Sequence, residues 1–372
     1  MISMAKPQIG QEEIDAVVEV MKSGMIASGA VVTEFEQAFA DYIGMPAAVA
    51  TSNGTTALHA ALLGLQIGEG DKVLTTPFTF IASSNSILFN RAIPVFLDIE
   101  RDSFLLDLDK VENYLANHND GSIKAILVVH LFGLACDMPR LMKIAKKYDV
   151  KVIEDCAQSH GAEIDGIKAG SFGDAACFSF YPTKNMTTSE GGVALFKDKN
   201  VADLARKYVN HGRVDQYKHD VLGFNYRMTN ICAAIGLAQL AKLSAMNEGR
   251  RKNASIYDKL LADNPYIETP TVDSRFKHVY HQYTIVIDGV SRESVQSLLA
   301  ENNIGCAVVY PFSMTEQEFY QEKSECEGDA IARELSKKVL SLPVHPGLTE
   351  IDINKVCLVL NSLSETMQSG DK

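Results

Sequence analysis

The chain is expected to fold as an α/β protein, with a mostly parallel central sheet in a large domain and a smaller α/β domain at its C-terminal end. Three observations carry that expectation. Between residues 47 and 196 short apolar runs alternate with helical stretches. Most of these runs are continuously apolar, as strands buried on both faces are. After about residue 240 the pattern changes to a long polar helix and a second, shorter set of elements. A length of 372 residues suffices for two domains, here 1–244 and 245–372, and for a core that needs no disulfide or metal staple.

The elements follow in order. A first helix is predicted over 11–22, with Ile14, Val17, Val18 and Met21 at the spacing of one buried face. A second opens at Thr33, where Thr33 and Glu36 form a capping box ahead of Phe35, Phe39 and Tyr42. Strands are predicted at 47–51, 72–75, 93–97, 125–130, 151–155, 175–180 and 192–196, with helices such as 55–65 and 138–147 between them. The second domain begins with a helix over 243–264 and continues through a strand at 283–287, a helix at 292–302, a strand at 305–309 and a last helix at 352–363. The polar tail 364–372 reads as disordered.

Charge and cysteine usage narrow the function classes. A net charge of −12 with no long basic run argues against a nucleic-acid groove. The seven cysteines are scattered without a CxxC pair, which points to reduced thiols rather than a disulfide framework or a zinc site. The N-terminus lacks an apolar signal region and no apolar run is long enough to span a bilayer, so a cytoplasmic protein with no membrane partner is expected.

Three segments can carry chemistry. The turn Ser52-Asn53-Gly54 joins a strand to a helix opening at Thr55 and Thr56. Free backbone N–H groups and the helix dipole make such a place an anion site, although any capped strand-to-helix junction looks the same. Asp155 ends the strand at 151–155, where an open α/β sheet binds its ligands. A buried carboxylate there needs a cation, supplied either by a structural salt bridge or by a ligand. Gln158 and His160 follow it closely. Finally, the strand at 175–180 breaks at Pro182 and delivers Lys184 into a polar turn, with Ser179 before it. An anion cradle, an acid, a hydroxyl and an amine together match pyridoxal 5'-phosphate (PLP): its phosphate, its pyridinium nitrogen and a Schiff-base amine.

The strings Phe178-Ser179-Phe180-Tyr181-Pro182-Thr183-Lys184-Asn185, Glu190-Gly191-Gly192 and Val152-Ile153-Glu154-Asp155-Cys156-Ala157-Gln158 resemble the DegT/DnrJ/EryC1/StrS group of nucleotide-sugar aminotransferases. The likeness runs from Lys6-Pro7 to Leu342-Pro343-Val344-His345. It implies a PLP aminotransferase of fold type I, moving an amino group from L-glutamate to a C4 or C3 keto group of a nucleotide-linked deoxysugar. Carried over, it makes Lys184 the covalent anchor and proton shuttle and Asp155 the partner of the pyridinium nitrogen. It puts Gln158 by the ring oxygen, Phe80 on a ring face, and Thr55, Thr56 and Ser179 on the phosphate. Asn225 matches a residue that reaches the neighbouring subunit's cofactor, which implies a homodimer with shared active sites. Arg227 adds charge there, and Ser28, Gly29 and His160 are placed toward the sugar nucleotide. Two positions depart from the family pattern, Met25 and the Val309 that precedes Tyr310-Pro311. A sugar dehydratase on this fold would replace Lys184 by histidine, and a regulatory protein would have lost the cofactor set.

Overall fold

The computed structural model describes residues 1–118 and 120–363; the tail at 364–372 lies outside the described residues. Its centre is an eight-stranded sheet. In spatial order the strands are Ala47–Thr51, Gly192–Phe196, Ala175–Ser179, Lys151–Asp155, Ile123–Val129, Lys72–Thr75, Ile93–Phe96 and Glu325–Cys326. Only Gly192–Phe196 runs against the others. The strands at Ile123–Val129 and Gly192–Phe196 are buried almost throughout, which is why their sequences are continuously apolar. Thr51, Asp155 and Ser179 thereby end at one carboxyl edge of the sheet, on neighbouring or next-but-one strands.

A second hydrophobic cluster gathers Tyr257 and Leu261 of the long helix Asn230–Leu261, the strands Tyr283–Ile287 and Val339–Leu342, and the helices Arg292–Glu301 and Glu350–Asn361. The long helix begins thirteen residues before the predicted start at 243 and runs unbroken through residue 245. The predicted strand at 305–309 is reduced to one bridge, Ala307 to Ser341, while Val339–Leu342, not predicted, pairs with Tyr283–Ile287.

Two further corrections have a tertiary cause. In the first helix, Gln11–Ser23, Ile14 is 51% and Met21 56% exposed, whereas Glu13 is buried at 2%. Glu13 accepts from Gln239 (2.8 Å) and the Gly10 amide (2.7 Å) and pairs with Lys242, so the helix docks on Asn230–Leu261 by a mixed face that carries Glu13 with Val17 and Val20, and not by the face of Ile14, Val18 and Met21. The second helix spans Ala30–Ile43 and starts before Thr33. Its free Val32 N–H is taken by Oδ1 of the distant Asn230 (3.2 Å). Glu36 is no cap: it accepts from the Ala50 amide (2.7 Å) and pairs with Arg206 (2.9 Å), tying the helix to the sheet.

Behind the carboxyl edge, Glu154 accepts hydrogen bonds from His130 Nε2 (2.9 Å) and the amides of Gly170 (2.7 Å), Phe172 (2.8 Å) and Gly173 (2.6 Å). Burial alone raises its carboxyl, but the hydrogen bond from His130 and those from the two glycine amides outweigh it and hold the group below the usual range. His130 Nδ1 accepts from the Cys136 amide (3.0 Å), so His130 and Glu154 are committed to holding the loop at 170–173 against the strand that carries Asp155. Glu154→Ala strands these buried donors and is expected to lower stability by about 3 kcal/mol in a denaturant titration, with the His130→Ala change smaller.

Candidate active site

The turn after Ala47–Thr51 is shaped by Asn53, whose Oδ1 accepts from the Thr56 amide (2.9 Å) while Thr56 Oγ1 receives the Asn53 amide (3.1 Å). This capping leaves the amides of Gly54 and Thr55 at the N-terminus of Gly54–Gly64 without an internal partner among the described residues. Gly54 has no room for a side chain, since a Cβ there would lie 2.6 Å from Ser179 Cβ. Ser179 and the turn are thus pressed together, and the hydroxyls of Thr55 and Ser179 remain uncommitted among the described residues. Thr56 differs: its hydroxyl serves the cap, donating to Asn53 O (2.8 Å).

Asp155 is 4% exposed, accepting from Ser83 Oγ (2.8 Å) and the Ala157 amide (3.1 Å). No basic side chain of the described residues lies within salt-bridge distance, which removes the structural salt bridge that the sequence left open. Burial pushes its carboxyl up, opposed by the bonds from Ser83 and Ala157 and by the charge of Lys184. Lys184 sits in the turn after Ala175–Ser179, its amide bonded to Tyr181 O (2.9 Å). Burial pushes its amine down to about 8, against the pull of Asp155.

These groups line one cavity of about 690 Å³. Thr55, Thr56, Phe80, Asp155, Gln158, Ser179 and Lys184 are all on its wall. Gln158 is fixed on both sides, its Oε1 accepting from the Phe132 amide (2.7 Å) and its Nε2 donating to Tyr310 Oη (3.0 Å). Phe80 is half exposed on the rim, facing Tyr310. Sequence reasoning missed Ser83, Tyr181, His281 and Tyr310, which line the same wall. Tyr181 lies inside a string quoted above and Tyr310 in the segment that departs from the family pattern, but nothing in sequence brings Ser83 to Asp155 or His281 to Lys184, about a hundred positions earlier.

Five other expected residues lie elsewhere. His160 is wholly buried behind the cavity, against the rings of Phe178 and Phe180, and burial pushes it down to about 3. It is a core residue in this chain, and the expectation that it faces the sugar is corrected. Ser28, Gly29 and Arg227 border a separate pocket of about 210 Å³, where Arg227 Nη1 donates to Asn210 Oδ1 (2.6 Å). Asn225 is exposed, paired with Asn210, and outside its own chain's cavity.

The chain fits PLP on the chemistry of its groups. A buried carboxylate without a cation suits a pyridinium nitrogen, a desolvated amine suits an aldehyde, and two free amides with two hydroxyls suit a phosphate. Comparison with known proteins agrees. Residues 7–361 match the model of the DegT/DnrJ/EryC1/StrS aminotransferase family, and the chain belongs to it. It is similar to GDP-perosamine synthase of Caulobacter vibrioides, at 37% identity over 97% of this chain and 98% of that one. It is also similar to dTDP-3-amino-3,6-dideoxy-alpha-D-galactopyranose transaminase of Aneurinibacillus thermoaerophilus, at 36% over 94% and 95%. A structure from Streptococcus pneumoniae solved in its PLP form superposes with a TM-score of 0.89 at 26% identity, covering 98% of this chain and 99% of that one. The protein is therefore a PLP-dependent aminotransferase with the fold of that class.

Proposed function

We propose that this aminotransferase moves an amino group from L-glutamate to the C4 or C3 keto group of a nucleotide-linked deoxysugar, in two half-reactions at the cavity described above. The observation that carries it is the pairing of a buried carboxylate and a desolvated amine, each without an ionic partner within 4 Å among the described residues, across one large cavity. The names of the relatives support the sugar class, since they aminate GDP- and dTDP-linked sugars. No described helix is long and apolar enough to cross a membrane, and all seven thiols are free, which supports a cytoplasmic location.

PLP, when bound, supplies an electron sink for negative charge on the carbon that carries nitrogen. Lys184 would hold it covalently and, as a free amine, would take and return the proton at that carbon; an amine lowered to about 8 has a neutral fraction near pH 7. Asp155 would face the ring nitrogen, with Ser83 and the Ala157 amide holding the carboxylate in place. Gln158 would lie by the ring oxygen, Phe80 would cover a ring face, and Thr55 and Ser179 would hold the phosphate with the helix N-terminus that Thr56, expected on the phosphate itself, instead caps. Ser28, Gly29 and Arg227 contact the sugar nucleotide across the subunit boundary. The division at residue 245 into a cofactor domain and a smaller domain is supported by the second hydrophobic cluster, apart from Glu325–Cys326, which joins the large sheet.

The active form is a homodimer in which Asn225 reaches the partner's phosphate site. Two features support this: Asn225 is exposed away from its own cavity, and Ile14, Val18, Met21, Met25 and Ile26 leave an apolar stripe uncovered on a single chain. Two experiments test the reading. Adding L-glutamate to the holoenzyme should bleach its visible absorbance, and a nucleotide-linked keto sugar should restore it; no bleaching sinks the donor assignment. Mixing inactive Lys184→Ala and Asn225→Ala chains after mild unfolding should recover about a quarter of wild-type activity, because half the dimers carry one intact site. No recovery sinks the shared site.

A further inference from the structure

His281 lies on the cavity wall with Lys184, from a segment that reading the sequence did not single out. It is 6% exposed. Its ring orientation follows from a chain of amides anchored on backbone carbonyls. The carbonyl of His160 can only accept, so the Asn247 atom 2.7 Å from it is the NH2 group. Asn247 Oδ1 then accepts from Asn185 Nδ2 (2.8 Å), which also donates to the carbonyl of Val279 (3.0 Å). With both hydrogens of Asn185 spent, its Oδ1 faces His281 Nδ1 (3.3 Å) as an acceptor. Nδ1 therefore carries the proton, and Nε2 is left bare. Arg250 locks the backbone beneath, its Nη1 donating to the carbonyls of Tyr280 (3.1 Å) and His281 (3.3 Å).

Nε2 has no hydrogen-bond partner among the described residues, and Nδ1 on the other side of the ring is turned toward the interior. We propose that His281 is a specificity-determining residue whose Nε2 accepts a hydrogen bond from a ring hydroxyl of the sugar that receives the nitrogen. This rests on the nucleotide-sugar reading above. A sugar hydroxyl that loses its water on entering the cavity needs an acceptor, and several polar groups on this wall are already committed: Gln158 to Phe132 and Tyr310, Ser83 to Asp155. A carboxylate beside Lys184 would also accept, but its charge would raise the amine again; an uncharged imidazole accepts without doing so. Burial, then the charges of Lys184 and Arg250 and the neighbouring His160, disfavour the protonated ring of His281, so the acceptor persists at working pH.

Two measurements test this. In ring-nitrogen NMR of the labelled holoenzyme, His281 should show a protonated Nδ1 and a bare Nε2 throughout pH 6.5 to 8; the opposite tautomer or an imidazolium overturns the proposal. In single-turnover absorbance, His281→Leu should lower kcat/KM for a GDP-linked 4-keto-6-deoxyhexose by about 10- to 100-fold. The loss in the L-glutamate half-reaction should be at least about tenfold smaller, and His281→Gln, which keeps an acceptor, should recover most of the sugar rate. One analogue lacking a single ring hydroxyl should be used equally by wild type and His281→Leu. Equal losses in both half-reactions, no loss, or a penalty that persists with every deoxy analogue overturns the proposal alone. A wild-type enzyme that accepts glutamate nitrogen but passes it to no nucleotide sugar instead sinks the substrate reading and this inference with it.

Discussion

Lys184→Ala is expected to abolish transamination, with turnover reduced by at least about 10⁴-fold, because one change removes both the covalent anchor and the proton carrier. The fold should survive, since Lys184 makes no side-chain hydrogen bond among the described residues and sits in a turn held by its own backbone and by Asn185. A far-ultraviolet spectrum like wild type, with no visible absorbance after incubation with PLP, is the expected pair of results. Activity within about tenfold of wild type would sink the assignment. The pH dependence of cofactor uptake gives a second check on the same amine. The attacking form is neutral, and the group is lowered to about 8. Below that value the neutral fraction rises about tenfold per pH unit, and above it the fraction levels off. The rate of covalent PLP uptake by the unliganded chain should therefore climb from pH 6 to 8 and flatten by pH 9. A climb continuing to pH 10 would mean that the amine is not desolvated.

The parts of this site that were legible in sequence are those where local chemistry and strand ends coincide. Asp155, Ser179 and the turn at Ser52 could be placed because buried parallel strands have continuous apolar runs whose carboxyl ends line up. Residues supplied by tertiary contact were not legible. Periodicity in Gln11–Ser23 shows which face is apolar but not which is covered, and there Glu13 and Lys242 decide the packing. The start of Ala30–Ile43 is capped by Asn230, some two hundred residues away, and Glu36 faces a strand edge. Val339–Leu342 is four residues long and gains its pairing from Tyr283–Ile287. His160 follows Asp155 and Gln158 in a polar string, yet the chain turns at Gly161 and sends the ring into the aromatic core. Family resemblance supplied roles for Phe80 and Asn225 that no spacing would; it is silent on His281, whose setting depends on Asn185 and Asn247.

Asp155→Asn is expected to lower kcat/KM by about 10²- to 10⁴-fold, because neutralising one member of a buried charge pair costs about 3–5 kcal/mol. The substitution keeps size and shape, and Ser83 can turn its hydroxyl to accept where it now donates, with Thr79 Oγ1 2.9 Å away to follow. The unliganded chain should respond in the opposite sense. The folded-state value of Asp155 is raised, chiefly by burial, so its ionised form opposes folding, and that cost is fully present above the raised value. Removing the charge should leave the melting temperature of the unliganded protein equal to or above wild type at pH 7, with the difference fading as pH falls through the carboxylate range. The stabilisation gained on adding PLP should shrink at the same time. That combination separates a carboxylate kept for its cofactor from one kept for the fold: parallel loss of stability and activity identifies a structural Asp155, and activity within about threefold of wild type removes it from the ring nitrogen.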